Sequence, residues 1–400
     1  MIGPQSRWFI VLLGALMMVN SLSIDMILPA LPALGESLHA RPDEVQLALS
    51  LYVIGYAVGQ LVVGPLSDRF GRRPVLLVGL SLYTLATLAC AASPRIDLLV
   101  TARLVQGITA CGGPVVVRAI VRDHMGGDRA AAMLSSLTTV FAAAPLFAPF
   151  LGGLLLVRWG WPSIFLSIAL FGAALVVSAW LALAESLTDP DREALHPRRL
   201  LANYRTFLTS RASMGFAFVN GLCFVGLFAF LSASPFVFIE YYHVRPDHYG
   251  LYFACCAATI IGGASANRRM LRRMPGARVL RYGFAILLAG GIAVAVVPLT
   301  PLSGPAAVVA AVMVYLFGQM MIMPNAVAQG LEPLKHMAGM GSALMGGVQM
   351  LCGAVTGYAV NRLYDGTPLP MAGMILFGAV GAVAIYAAML RPSAASSGRR

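Results

Sequence analysis

The sequence predicts an all-α membrane protein with twelve transmembrane helices in two six-helix bundles. Three observations carry that reading. The 400-residue chain is 59% hydrophobic and 11% charged, with a mean hydropathy of +0.80; a soluble domain averages about 25% charged residues. Its apolar residues fall in continuous blocks of about 20, the length a helix needs to cross a bilayer. One long polar break, Glu185–Arg211, divides the blocks evenly. A membrane barrel would alternate polar and apolar residues in short segments. These blocks, rich in Leu, Ala, Gly and Val, do not.

The first block, Trp8–Pro29, carries one charged residue, Asp25, in a stretch otherwise uncharged from Trp8 to Gly35. Arg7 ahead of it resembles the start of a signal peptide. The stretch exceeds a usual h-region and contains an acid, so it reads as a retained first helix. Val45–Leu66 follows, then Val75–Ala91, with a basic loop between them. Leu98–Val117 contains Arg103, and Ala131–Leu155 contains Pro145 and Pro149. Pro162–Ala184 closes the first bundle, residues 1–184. Residues 185–211 read as a cytoplasmic linker with room for a short surface helix. The second bundle, residues 212–391, holds Ala212–Ile239, Tyr249–Ala266, Val279–Val297, Ala306–Ala326, Ala338–Ala359 and Met371–Leu390. Residues 392–400 form a cytoplasmic tail. Two pseudo-equivalent bundles with a site between them is a common transporter plan.

The formal net charge is +12, and its distribution speaks for topology. One set of alternating loops, with both termini, holds 22 of the 28 Lys and Arg residues. The other set holds Arg41, Arg95, Arg158, Arg245 and Arg362. By the positive-inside rule the rich side is cytoplasmic, which places both termini inside a bacterial inner membrane. No aromatic residues interleave the basic clusters, which argues against nucleic acid as a partner. The six cysteines all lie in apolar blocks without metal or disulfide spacing and read as small core side chains. The histidines (His39, His124, His196, His243, His248 and His336) fall in loops. With no HExxH and no paired intramembrane carboxylates, an enzyme is disfavoured. The expected partners are a lipid bilayer and a small drug-like molecule, with the chain acting as a monomer and with no cofactor beyond the proton as coupling ion.

Asp25 is the first site candidate, because an ionised carboxyl at membrane depth costs several kcal/mol. A group that takes up and releases a proton meets that cost. A capping or helix-pairing carboxyl near the outer surface is the competing reading. Pro29, one turn on, lacks an N–H and weakens the helix, leaving carbonyls to solvate a cavity-facing acid. Arg103 is the second candidate. It cannot deprotonate and must find partners. Burial disfavours the carboxylate of Asp25 and a nearby guanidinium favours it, so a balance of the two would allow titration. The alternative for Arg103 is a structural role on helix carbonyls.

The most specific string is GPLSDRFGRRP, Gly64 to Pro74, in which Gly71 permits a tight turn. Asp68 can neutralise neighbouring Arg69, Arg72 and Arg73 and face the positive end of another helix. A Gly-rich, then basic, segment recurs after the eighth block at Gly262, Gly263, Asn267, Arg268, Arg269, Arg272 and Arg273, without the acid. It looks like a degraded internal copy. Candidate cavity residues are Asn20, Tyr52, Tyr56, Phe141, Asn220, Phe224, Phe228 and Gln349; ordinary helix packing is the competing reading for each. Glu240, at a block end, is an interfacial anchor or a second proton site.

Together these strings resemble the major facilitator superfamily, in particular its drug:proton antiporters of the Bcr/CflA (bicyclomycin/chloramphenicol resistance) subfamily. Gly64 to Pro74 resembles the loop signature G-x-L-x-D-R-x-G-R-R. RLVQG at Arg103–Gly107 resembles R-x-x-Q-G. APLFAP at Ala144–Pro149, followed by Gly152 and Gly153, resembles the antiporter motif of helix five, though no glycine precedes Pro145. SIDMILPALP at Ser23–Pro32, RAIVRD at Arg118–Asp123 and Pro324 to Pro333 add support. The resemblance implies the major facilitator fold, Asp68 on helix eleven, an Arg72–Asp123 pair, and a cytoplasmic gate latched by these residues. It further implies proton-coupled export of hydrophobic or amphipathic drugs by alternating access, with Asp25 and Arg103 as coupling residues. An exporter of an endogenous amino acid or sugar on the same fold is the alternative.

Overall fold

The computed structural model describes residues 6–125, 127–191, 196–301 and 303–390. Among them there are helices and connections but no strand. We number the membrane helices α1 (Trp8–Ser37), α2 (Pro42–Phe70), α3 (Arg72–Ala91) and α4 (Ile96–His124), then α5 (Gly127–Trp159) and α6 (Pro162–Ala182). The second half comprises α7 (Arg211–Tyr241), α8 (Pro246–Leu271), α9 (Gly276–Leu299) and α10 (Pro305–Leu334), then α11 (Ala338–Arg362) and α12 (Leu369–Met389). Eleven helices are long and apolar enough to cross a membrane; α5 completes the twelve with 33 residues and an apolar stretch at Phe147–Trp159. The linker contains the expected helix, Pro197–Thr209.

The even helix count puts both described ends on one side, here the terminal face; the opposite side is the far face. Five helices that re-enter from the far face, α2, α6, α8, α10 and α12, carry proline in their first turn. There the missing N–H is one that no helical carbonyl would accept, and φ is already set. The first turn of α2 adds Asp43 and Glu44, and the Arg41 N–H donates to Glu44 Oε2 at 2.9 Å, favourable charge for a helix N-terminus. Most helices outlast the sequence blocks, because polar end residues still continue the hydrogen-bond ladder. α1 passes Pro29 rather than ending at it: a 3-10 turn at Leu28–Ala30 hands over to a last helical segment, Leu31–Ser37. Pro29 occupies the start of that turn, where it breaks no bond.

Large apolar side chains such as Leu85, Leu170 and Trp180 are more than 60% exposed, the outward belt of a protein whose surrounding solvent is hydrocarbon. Of the cysteines, Cys255 is exposed and Cys352 half-buried, so the core reading fits only Cys90, Cys111, Cys223 and Cys256. The difference is one of helix face, since Cys255 and Cys256 are adjacent on α8.

Within the first half α2 packs on α4, α3 on α6 and α1 on α5; within the second, α7 packs on α10, α11 and α12, and α9 on α10. The halves join along two seams, α2 with α11 and α5 with α8. Toward the far face the Leu28–Ala30 turn touches α5, α7 and α8 and is buried. Toward the terminal face the halves part around a cavity of about 780 Å³. The molecule is sealed on one side and open on the other.

Candidate functional site

The cavity is lined from α2 by Gln60, Gly64 and Asp68, from α4 by Arg118 and Arg122, from α7 by Asn220, and from α11 by Met345 and Gln349. Tyr204 of the linker helix lies at its mouth. The Asn220 side chain donates to Gln349 Oε1 at 2.8 Å, so these two expected residues meet and line the cavity together. Asn20, Tyr52, Tyr56, Phe224 and Phe228 do not line it. Tyr52 donates to Asn20 Oδ1 at 3.1 Å, and its ring lies 4.2 Å beneath the Arg103 guanidinium. Tyr56 is buried. The Phe224 and Phe228 rings lie 5.8 Å apart, tilted by 38°, against Gly353 and Gly357 of α11. A helix enclosed by neighbours has several buried faces, and spacing cannot say which one borders the space. The Phe141 side chain lies outside the described residues.

The latch follows from the Gly64–Pro74 string. Gly71 stands at φ +98 and ψ 151, a region essentially confined to glycine, where an L side chain is disfavoured by about 1–3 kcal/mol. That turn aims the first N–H groups of α3 at Glu185, whose carboxylate accepts from the Arg72 and Arg73 N–H groups at 2.9 and 3.0 Å. Arg72 donates Nε to Asp123 Oδ2 at 3.0 Å and Nη1 to Ser67 Oγ at 2.8 Å, and it pairs with Asp68. Ser186 adds a bond to Asp123 at 3.0 Å. Arg73 reaches the Trp180 carbonyl at 2.7 Å. The expected Arg72–Asp123 pair therefore forms, but the cluster ties α2, α3, α4 and the end of α6 within one half. No bond from Asp68 to α11 is seen among the described side chains, and the two border the same open cavity.

Two members of the expected gate do not join this cluster. Arg69 is exposed and sits over the Phe70 ring at 5.3 Å. Gly64 has open space where a Cβ would stand; its carbonyl accepts from Ser67 at 2.9 Å. Gly71→Ala should therefore lower stability by about 1–3 kcal/mol, whereas Gly64→Ala should hold or raise it, since Ala exceeds Gly in a helix by about 0.5–1 kcal/mol. Thermal unfolding of the two variants in detergent checks the contrast. Glu185 was missed by sequence reasoning; its only signal was an acid directly after the sixth block.

The second half carries an uncharged counterpart. Asn267 stands four residues after Gly263 as Asp68 does after Gly64, and it accepts from the Asn325 side chain at 2.8 Å. The degraded copy keeps a hydrogen bond and loses the ion pairs.

Arg103 is fully buried. It donates Nε to the Ala48 carbonyl at 3.1 Å, and Nη1 to the Ser23 carbonyl at 3.0 Å and to Gln106 Oε1 at 2.6 Å. Gln106 in turn donates to Thr87 Oγ1 at 2.8 Å, and Ser23 shares a 2.6 Å bond with the Tyr83 hydroxyl. The Arg–Gln spacing of RLVQG puts both side chains on one helix face, and together they clamp α1, α2, α3 and α4. Arg103, expected to tune Asp25 from nearby, makes no ion pair with it: the guanidinium holds a backbone oxygen two residues before the acid. Two backbone carbonyls and the Gln106 amide oxygen satisfy Nε and Nη1, while Nη2 is buried without a hydrogen-bond partner.

Asp25 is 6% exposed, at the end of the first helical segment of α1. The Ser21 hydroxyl, one turn back, donates to its Oδ2. Tyr249 of α8 lies within electrostatic reach and shares a 2.8 Å bond with Ser234 of α7. Among the described residues no cation pairs with Asp25. The acid is thus enclosed where the halves seal, and it does not line the open cavity. Glu240 lies elsewhere, in a far-face pocket of about 340 Å³ with Glu36 and His39.

The helix-five string stands beside Asp25. α5 runs unbroken through Pro145 and Pro149. A Cβ on Gly152 would lie 1.9 Å from the Met26 carbonyl of α1, and one on Gly153 would lie 2.5 Å from the Pro246 carbonyl of α8. The glycine pair lets α5 pack closely on α1 of its own half and on α8 of the other.

Comparison with known proteins agrees with this arrangement. The family model described as Major Facilitator Superfamily matches residues 13–357. The chain is 34% identical to an uncharacterized MFS-type transporter, YdgK, of Bacillus subtilis, covering 94% of both chains. It is 30% identical to a bicyclomycin resistance protein homolog of Haemophilus influenzae, covering 95% of this chain and 94% of that one. It is 27% identical to the multidrug resistance protein MdtL of Escherichia fergusonii over 86% of each. The fold matches that of the xylose transporter XylE from E. coli in a partially occluded inward-open conformation, with a TM-score of 0.72 at 13% identity over 98% of this chain and 99% of that one.

Proposed function

This chain belongs to the Major Facilitator Superfamily, and we propose that it exports hydrophobic or amphipathic drug-like compounds in exchange for protons. It is a multi-pass membrane transporter related to proteins named for bicyclomycin and multidrug resistance. The observation that carries the finer reading is Asp25: a lone acid of the membrane interior, enclosed by both halves in a state open on one face only. The basic excess on the terminal face supports placing that face, and the cavity mouth, in the cytoplasm of a bacterial inner membrane. The protein acts as a monomer, with the proton as its coupling ion.

In this mechanism, sealing the far half around Asp25 requires its neutralisation, since a buried unpaired carboxylate is costly. The proton is taken up from the far side while that half is open and leaves toward the terminal face when drug binds in the cavity; the charged, drug-loaded protein then reopens the far half, where the carboxylate is rehydrated. Arg103 positions the α1 backbone beside it. A substrate shifts the alternating-access equilibrium only through unequal affinity for the two states. Purified protein in liposomes should accumulate chloramphenicol when an imposed pH gradient drives protons out, and chloramphenicol addition to detergent-solubilised protein should release protons. Uptake of amino acids or sugars in place of the drug would support the metabolite reading; equal uptake with and without the gradient would remove proton coupling.

A further inference from the structure

The cavity's chemistry is graded with depth. Ion pairs hold Arg72 near its mouth. Arg118 and Arg122 have no carboxylate partner among the described residues: Arg118 Nε donates only to the Pro114 carbonyl, at 3.0 Å. Both border the cavity, one helical turn apart on α4, and Asp68 is the one acid among the cavity-lining residues. Counted along the helices at about 1.5 Å per residue from the terminal face, Arg122 is about 3 Å deep and Arg118 about 9 Å. By the same count Gln60, Asn220 and Gln349 stand at about 14–17 Å.

The deep end is polar in a particular sense. Asn220 is 1% exposed and Gln60 9%. Asn220 Oδ1 and Gln60 Oε1 are buried without a hydrogen-bond partner, although both residues border the cavity. Buried acceptors left unpaired are costly and call for donors. Between the two levels the wall is apolar and adaptable, with Met345 and Val327.

We propose, building on the transport reading above, that this cavity selects amphipathic organic anions: molecules about 10 Å long, with a carboxylate at Arg118 and Arg122 and an N–H or O–H donor at Gln60 and Asn220. Two guanidiniums without carboxylate partners repel a lipophilic cation and hold an anionic group by charge-assisted hydrogen bonds. The deep acceptors orient the other end. An inside-negative membrane potential assists the exit of such cargo.

The test uses purified full-length protein in detergent and calorimetric binding of matched aromatic amides that carry a phenolic donor at one end and differ at the other: 4-hydroxyhippurate and its 6-hydroxy-2-naphthoyl analogue, their methyl esters, and the corresponding trimethylammonium compounds. Carboxylates should bind at least tenfold more tightly than the cations, and added salt should weaken them. The double variant R118Q/R122Q should bring the three classes within threefold, and R118K/R122K should restore most of the preference. The Lys variant guards against a trivial folding loss, and unfolding curves of all three proteins accompany it. Cations binding as well as carboxylates, no carboxylate binding at all, or an unchanged preference in R118Q/R122Q would each overturn the proposal. Gradient-driven chloramphenicol transport alongside cation preference sinks only this inference; anion preference without gradient-driven transport sinks only the proton-coupled reading.

Discussion

Asp25→Asn should abolish gradient-driven export, lowering it by about 100-fold or more, while the protein folds and binds substrate within about threefold of normal. The scale is that of losing the driving force outright: one tenfold step corresponds to about 1.4 kcal/mol, and burying a carboxylate costs several. Asparagine keeps the volume of the side chain and can accept the Ser21 hydroxyl that Asp25 now accepts. It removes the one property the mechanism uses, a charge that must disappear when the far half closes. The variant should favour the sealed arrangement at every pH. Its substrate counterflow, which needs no net proton movement, should survive, and chloramphenicol should release no protons from it. Liposome uptake with and without an imposed pH gradient makes the measurement. Gradient-driven uptake above a tenth of the wild-type rate would show that the coupling proton binds elsewhere.

Gly152→Val should be the most disruptive single substitution in the far-face seal. The new Cβ would start 1.9 Å from the Met26 carbonyl, and α5 cannot retreat freely. Behind it Gly153 already approaches the Pro246 carbonyl so closely that a Cβ there would stand at 2.5 Å. Overpacking in a compliant core costs about 1–3 kcal/mol; here backbone faces backbone on both sides, so the upper end applies. The residue displaced is the neighbour of Asp25, so transport should fall by about tenfold or more together with stability. Thermal unfolding and liposome uptake, with Gly64→Ala as the substitution into open space, read both effects. A Gly152→Val protein with normal stability would mean that α1 and α5 do not meet as described.

Much of the latch was legible in advance because it is local. Gly71, Asp68 and Arg72 lie within five residues, so a turn and a helix end bring them together without reference to the rest of the chain. Asp123 required the family resemblance, and Glu185 required the coordinates, since it arrives from the end of α6. That Arg103 holds carbonyls and makes no ion pair with Asp25 has a related reason. Depth along two helices can place a guanidinium and a carboxyl at the same level, yet a small rotation of either helix offers carbonyl oxygens instead. The Arg103 donors went to Ser23 and Ala48. The cavity residues divided the same way: Asn220 and Gln349 found each other, while Tyr52, Phe224 and Phe228 went to helix–helix seams.

By itself the sequence determined what the bilayer enforces. Hydrocarbon admits only closed hydrogen-bonded segments, so apolar block length dictated twelve helices, and the expense of charge singled out Asp25 and Arg103. Tertiary structure alone decided partners and faces: which acid meets which base, which side of an enclosed helix borders the cavity, and which half of the seam is shut. Those outcomes depend on rotations and sub-ångström approaches between helices far apart in the chain, which the one-dimensional pattern of polar and apolar residues does not encode.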